Sequence, residues 1–191
     1  MAVAPIAPTP ARPRIGVSSC LLGHEVRYNG GHKRDAFLLD VLGPYVEWVA
    51  VCPEVEIGLG TPRPAMRLVR LGSGGSGDRE DIRLIAPETG ADHTAAMRSW
   101  AERRVEELAA ADLDGYVLKK GSPSCGMERV ELYPAEGGAP DETGRGLFAA
   151  ALLQRLPHLP VEDEGRLNDP LVRESFISRV FLHLRRRQRC R

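Results

Sequence analysis

The chain has 191 residues, of which 42% are hydrophobic and 27% charged, a composition typical of a globular protein with one well-buried domain. Its 26 basic and 26 acidic residues cancel, so the overall charge gives no attraction to nucleic acid or to a membrane surface. No apolar run approaches the ~20 residues needed to cross a bilayer, and the start has no secretory signal pattern. We therefore expect a cytoplasmic protein whose cysteines stay reduced and serve metal binding or catalysis.

Short apolar strands alternate with amphipathic helices along the chain. Strands are predicted at 14–20, 46–52, 66–71, 81–86 and 115–120, a flexible loop at 72–77, and helices at 32–43, 92–111, 146–156 and from 168 onward. This alternation predicts an α/β fold in a single domain, with a largely parallel sheet flanked by helices in a Rossmann-like sandwich. We interpret residues 1–12 as a disordered leader, 13–184 as the folded domain and 185–191 as a basic C-terminal tail.

Three cysteines have the same sequence context. Cys20, Cys52 and Cys125 each follow a predicted strand, and each precedes glycine or proline within one or three residues. The carboxyl ends of parallel strands form the crevice in which ligands bind, so these cysteines are expected to converge there. Their wide spacing and the absence of any C-x-x-C pair exclude a local zinc knuckle, but unrelated buried thiols would fit the spacing equally well.

The residues beside the cysteines favour a metal site. The segments VSSCLLG, VCPEVEIGLG and GSPSCG are small and polar, and such turns supply backbone N–H groups that stabilise anions and thiolates. Three thiolates with an open fourth position suit an iron–sulfur cluster with one accessible iron, or a catalytic zinc ion. Cys190 lies beside the last residue and is given no role.

Four blocks of the sequence resemble, in the same order, the signature blocks of the thiouracil desulfidase family. They are GVSSCLLGHEVRYNGGHK, VCPEVEIGLGTPRP, LKKGSPSCG and LPVEDEGRLNDPLVRESFISRVF, and the resemblance extends over residues 13–184. Members of that family break the carbon–sulfur bond of thiolated uracil with a [4Fe-4S] cluster held by three cysteines. The resemblance implies that Cys20, Cys52 and Cys125 are the cluster ligands, and that 2-thiouracil or a related thiolated pyrimidine is converted to uracil and hydrogen sulfide.

Glu54 and Ser122 are the candidate catalytic residues that the same resemblance implies. Glu54 lies two residues beyond Cys52, so its side chain is expected to reach the crevice and move protons; an exposed loop glutamate is the alternative. Ser122, three residues before Cys125, could hydrogen-bond the pyrimidine or orient a water molecule.

Tyr28, Asn29 and Ser19 are candidate substrate-binding residues. An aromatic face and an amide are suited to a pyrimidine, although a polar turn before two glycines explains Tyr28 and Asn29 equally well. Ser19 also fits the role of a turn former.

The expected partner is a small thiolated pyrimidine. We do not expect nucleic acid as a partner, because the basic run 185–189 also suits a helix C-terminus, and the sequence leaves the oligomeric state open.

Two other classes of function remain open from the sequence. One is a zinc–thiolate enzyme with the same three cysteines. The other is an iron–sulfur sensor or RNA-binding module that acts on thiolated tRNA through the arginine-rich end.

Overall fold

The computed structural model describes residues 11–71, 82–140 and 142–189. The predicted loop 72–77 and nearly all of the predicted leader lie outside these ranges. The strands are β1 Arg14–Ser18, β2 Glu47–Val51, β3 Arg67–Arg70, β4 Ile82–Ala86, β5 Ala91–Asp92, β6 Gly115–Leu118, β7 Val130–Pro134, β8 Glu142–Gly144 and β9 Val161–Asp163. The α-helices are α1 Pro53–Glu56, α2 Thr94–Ala110, α3 Leu147–Arg155 and α4 Pro170–Arg189.

The first sheet is parallel and forms the centre of the molecule. Its strand order is β2–β1–β6–β9, and every neighbouring pair runs in the same direction. Helices cover both faces of this sheet, which explains why all four residues of β6 are buried. This sheet and its helices confirm the predicted α/β fold.

Two apolar clusters occupy the two faces of the parallel sheet. On one face, Phe176 and Val180 of α4 pack with Ile15 and Val17 of β1. On the other, α2 and α3 pack together over the buried Tyr116 ring, which also meets Phe148 edge-on at 5.8 Å between centroids. Gly16 of β1 makes room for this ring, because a Cβ there would lie 2.2 Å from a carbon of Tyr116.

A second sheet of five strands was not predicted. Its order is β5–β4–β3–β7–β8, with β3 and β7 parallel and the other neighbours antiparallel. The strands β3 and β4 confirm two of the predicted strands. Since β3 and β7 lie far apart in the sequence, local residue patterns do not reveal that they pair.

The predicted helix over 32–43 is observed only as a short π-helix, Phe37–Leu42. The residues before it are used differently: the backbone N–H groups of Lys33 and Asp35 donate to the carbonyls of Cys20 (2.8 Å) and Leu21 (2.9 Å). These bonds hold the segment against the Cys20 turn, so it cannot continue the helix.

The start of one long helix differs slightly from the prediction, whereas the basic run 185–189 lies at a helix C-terminus as predicted. Helix α2 begins at Thr94 rather than at the predicted cap Asp92, which lies in β5 and accepts the Thr94 N–H at 2.8 Å. Helix α4 extends through Arg189, so residues 185–189 form its last turns. Among the described residues, no helix is both long enough and apolar enough to cross a membrane.

Candidate active site

The three cysteines follow three adjacent strands of the parallel sheet. Cys52 comes directly after β2, Cys20 lies in the 3₁₀ turn Ser19–Leu22 after β1, and Cys125 lies in the loop after β6. All three are free thiols and line one cavity of about 530 Å³. The structure thus brings together the residues that the sequence predicted to meet at the carboxyl edge of the sheet.

The three thiols lie close enough to influence one another electrostatically. Burial raises the pKa of Cys20 to about 11, opposed by Lys119 and reinforced by Cys52. Burial likewise raises the pKa of Cys52. Burial also raises the pKa of Cys125 well above its usual value, opposed by a hydrogen bond from the Ser18 hydroxyl and reinforced by Glu54 and the other two cysteines. Without a bound cation these groups are therefore protonated thiols, and binding a metal centre would displace their protons.

Ser122 shapes the turn that presents Cys125. Its Oγ accepts hydrogen bonds from the backbone N–H groups of Ser124 (3.2 Å) and Cys125 (3.0 Å). Gly126 closes the turn with a bond from its N–H to the Ser122 carbonyl at 2.8 Å, and a Cβ at Gly126 would lie 2.8 Å from the same oxygen. The GSPSCG segment is thus fixed by its own serine and glycine.

The same turn is bound to the start of helix α3. The N–H groups of Leu147 and Phe148 donate to the carbonyls of Pro123 (3.1 Å) and Ser124 (3.0 Å), so the turn caps the helix. Gly146 permits this approach, because a Cβ there would lie 2.5 Å from the Ser124 carbonyl oxygen. The helix in turn keeps the cysteine loop in place.

Glu54 lies in α1 and faces the same cavity. Its Oε2 accepts hydrogen bonds from Nε (2.9 Å) and Nη2 (2.5 Å) of Arg63, and its Oε1 accepts one from Ser124 Oγ at 2.9 Å. The side chain is 14% exposed, in contrast to the alternative of an exposed loop glutamate. The sequence pattern indicates no role for Arg63, which lies in the TPRP segment, and only a turn-forming role for Ser124.

The candidate substrate-binding residues are distributed unevenly around the cavity. Tyr28 and Ser19 line it, and the Arg27 guanidinium lies 5.5 Å from the centroid of the Tyr28 ring. Asn29 is exposed and is not among the lining residues; its Oδ1 accepts the Gly31 N–H at 3.2 Å within a local turn.

The second sheet contributes residues that the sequence did not predict. Glu131 and Tyr133 of β7 line the cavity, and the Tyr133 hydroxyl donates to Glu131 Oε2 at 2.8 Å. The Arg67 guanidinium lies 4.5 Å from the centre of the Tyr133 ring. The cavity is therefore bounded by both sheets.

Three cysteine side chains suit an iron–sulfur cluster with one open iron. Within the described ranges, no three His, Cys, Asp or Glu side chains are arranged to hold one metal ion. In a four-iron cluster each cysteine binds a different iron, so the three sulfur atoms do not need to meet on one atom. Tetrahedral zinc requires that they do.

Comparison with known proteins places the chain in a family. Residues 15–164 match the family described as 2-thiouracil desulfurase. The chain belongs to the 2-thiouracil desulfurase family. Its membership confirms the resemblance found in the sequence blocks, and membership of a desulfurase family makes the chain an enzyme.

Two similar proteins extend this family assignment. The uncharacterized protein YbbK of Bacillus subtilis (strain 168) is 32% identical over 159 residues, which cover 81% of this chain and 98% of YbbK. A solved structure described as the [4Fe-4S]-dependent thiouracil desulfidase TudS is 34% identical, with a TM-score of 0.62, and the match covers 86% of this chain and 97% of TudS. The desulfurase fold is thus shared over nearly the whole described chain.

Proposed function

We propose that the chain is a [4Fe-4S]-dependent desulfidase that converts 2-thiouracil or a related thiolated pyrimidine to uracil and hydrogen sulfide. One observation carries the proposal: cysteines that follow three adjacent strands line a single cavity together with the partly buried carboxylate of Glu54. Family membership and the similarity to TudS support it. We expect the enzyme to act in the cytoplasm, where its thiols stay reduced.

Cys20, Cys52 and Cys125 would hold three irons of the cluster. When bound, the cluster supplies an open iron that acts as a Lewis acid toward the substrate sulfur. The Ser18 hydroxyl, which already hydrogen-bonds Cys125, stabilises the thiolate form of that ligand. Lys119 has the same effect on Cys20 through its positive charge.

Glu54 is the proposed base that takes a proton from water. Arg63 occupies one carboxylate oxygen and Ser124 donates to the other, which leaves acceptor capacity on Oε1 for a water proton. The overall reaction replaces C=S with C=O: one water is consumed, one hydrogen sulfide is released, and no electron is gained or lost.

Ser122 and Tyr28 are the proposed contacts with the pyrimidine. The Ser122 oxygen accepts two backbone N–H groups, so its own O–H remains available to donate to the ring or to orient water. Tyr28, which lines the same cavity, offers an aromatic face, and Ser19 a second hydroxyl. Asn29 stays a prediction, since in this structure its amide serves a local turn.

Anaerobic reconstitution tests the proposal directly. Wild-type protein and the variants Cys20→Ser, Cys52→Ser, Cys125→Ser and Cys190→Ser are loaded with iron and sulfide, and iron, acid-labile sulfide and the absorption spectrum are measured. We expect one four-iron cluster in the wild type and in Cys190→Ser, and its loss in the other three. Sulfide release from 2-thiouracil should follow cluster content.

Two outcomes would contradict the proposal. A colourless wild-type protein that binds one zinc and no cluster would favour the zinc–thiolate alternative. A cluster-loaded protein that releases no sulfide from 2-thiouracil or other thiolated pyrimidines would favour a sensor.

A further inference from the structure

A chain of hydrogen bonds centred on Arg63 joins the three segments that carry the cysteines. Arg63 Nη2 donates to the Val26 carbonyl at 2.9 Å, and the Arg63 backbone N–H donates to the Tyr28 carbonyl at 2.8 Å; both acceptors lie in the segment after Cys20. The guanidinium then binds Glu54, two residues after Cys52. Glu54 in turn accepts the hydroxyl of Ser124, the residue before Cys125.

The residues joined by these hydrogen bonds are largely buried, which makes the bonds structurally important. The side chains of Arg63 and Glu54 are 6% and 14% exposed, and Ser124 is fully buried. A buried ion pair loses much of its hydration, so each partner depends on the other for compensation. Arg63 Nη1 also donates to the Gly60 carbonyl at 3.1 Å, so each of the three guanidinium nitrogens donates a hydrogen bond.

One acceptor lies directly beside a proposed cluster ligand. The Val26 carbonyl that binds Arg63 also accepts a contact from Cys52 Sγ at 3.9 Å. Without Arg63, this carbonyl and the Glu54 carboxylate would lose the donor that they share. The Cys20 and Cys52 segments would then lose the Arg63 hydrogen bonds that join them.

We propose that Arg63 is a positioning residue that fixes Glu54 in one orientation and holds the three cysteine segments together around the cavity. The catalytic part of this inference rests on the proposed function of Glu54. The structural part does not, because it follows from the hydrogen bonds among Arg63, Val26, Glu54 and Ser124 alone.

A double-mutant cycle tests the inference. The variants are Arg63→Gln, Arg63→Lys, Glu54→Gln and the combination of Glu54→Gln with Arg63→Gln. Arg155→Gln is the matched control, because Arg155 also binds a carboxylate through two nitrogens, in its case Glu106, but on the exposed surface. Each variant is measured for thermal unfolding without a cluster, for iron per chain after reconstitution, and for kcat and KM.

The expected result is strong coupling between Arg63 and Glu54. In the cluster-free protein, the double variant should unfold at a temperature no lower than Arg63→Gln, since removing both partners leaves no unpaired buried charge. In the loaded enzyme, Arg63→Gln should lower kcat by about tenfold or more with little change in KM, and should cause no further loss in the Glu54→Gln background. Arg63→Lys should recover part of the loss, and Arg155→Gln should match the wild type.

The inference would be overturned by additive losses in the double variant, or by wild-type iron content and kcat in Arg63→Gln. The unfolding cycle separates this failure from failure of the proposed function. Coupled unfolding in a protein that does not desulfurate thiolated pyrimidines would uphold the structural link and reject the reaction.

Discussion

Arg187, near the end of helix α4, forms a two-point ion pair with the fully buried carboxylate of Asp114. Nε lies 3.0 Å from Oδ1 and Nη2 lies 2.9 Å from Oδ2. Asp114 Oδ2 also accepts the backbone N–H of Arg14 at 3.0 Å, at the start of β1. The end of α4 is therefore held to the amino-terminal edge of the parallel sheet, and part of the segment that the sequence interprets as a tail takes part in this contact.

Replacing Arg187 by alanine should destabilise the fold. The change leaves a buried carboxylate without its main partner, which costs about 3 kcal/mol in the free energy of unfolding. Urea unfolding measures this loss of unfolding free energy. Arg186→Ala is the control, because Arg186 is exposed on the same helix turn. Equal midpoints for the two variants would show that Arg14 and His183, whose Nδ1 lies 3.5 Å from Asp114 Oδ1, satisfy the carboxylate without Arg187.

Ser122 and Ser124 should give different defects when replaced by alanine. Ser122 holds the backbone of the Cys125 turn and is a proposed contact with the pyrimidine, so its loss should lower stability by about 1 kcal/mol, reduce iron content after reconstitution and lower turnover per cluster. Ser124 binds Glu54, so Ser124→Ala should keep the cluster and lower kcat by about tenfold. Iron analysis and turnover per cluster distinguish the two. Identical defects in both variants would contradict these separate roles.

Glu54→Gln should keep the cluster but lose most of the turnover. Removing a general base typically costs about 100-fold or more in rate. Glu56→Gln is an informative comparison, because Glu56 Oε1 accepts the backbone N–H of Cys52 at 3.1 Å while Glu56 does not line the cavity. We expect it to affect cluster retention more than kcat per cluster. Near-normal sulfide release by cluster-loaded Glu54→Gln would remove Glu54 from the mechanism.

The site was partly predictable because part of it is local in sequence. A cysteine in the turn or loop that follows a strand lies towards the carboxyl edge of a parallel sheet, and this rule led us to expect Cys20, Cys52 and Cys125 to converge. The family resemblance added Glu54. Both predictions depend only on residues near a strand end.

The contacts that organise the site could not be predicted in the same way. The role of Arg63 depends on its contacts, and its partner Val26 lies far from it along the chain. Ser124, which binds the other oxygen of Glu54, lies far from Glu54 along the chain, so no local pattern reveals this contact either. The same is true of Tyr133, which reaches the cavity only because β7 pairs with β3. The spacing of apolar residues predicts which face of an element is buried, but it does not predict which distant element covers that face.

Gly146→Ala should disturb the cysteine turn from the helix side. Its Cβ would lie 2.5 Å from the Ser124 carbonyl oxygen and 2.9 Å from the Cys125 nitrogen, and neither backbone atom can move without shifting the turn. We expect a loss of about 2 kcal/mol in unfolding free energy and a lower iron content. Gly60→Ala is the control, because a Cβ there would meet nothing within 4 Å. Wild-type stability and iron content in Gly146→Ala would show that the turn tolerates displacement.

The last prediction concerns substrate size. The proposed substrate is a small thiolated pyrimidine, and the cavity that Tyr28 and Cys125 line has a volume of about 530 Å³, the size of a small-molecule site. A tRNA substrate would require a basic surface that neutralises several phosphates, and the densest basic run lies at the end of α4. Deleting that end would remove Arg187 and confound the result, so the better variant replaces the exposed Arg185, Arg186 and Arg189 by serine and leaves Arg187 in place. We expect kcat/KM for free 2-thiouracil to be unchanged and to exceed that for thiolated tRNA in both proteins. A preference for tRNA that disappears in the triple variant would instead identify these arginines as a substrate-binding surface.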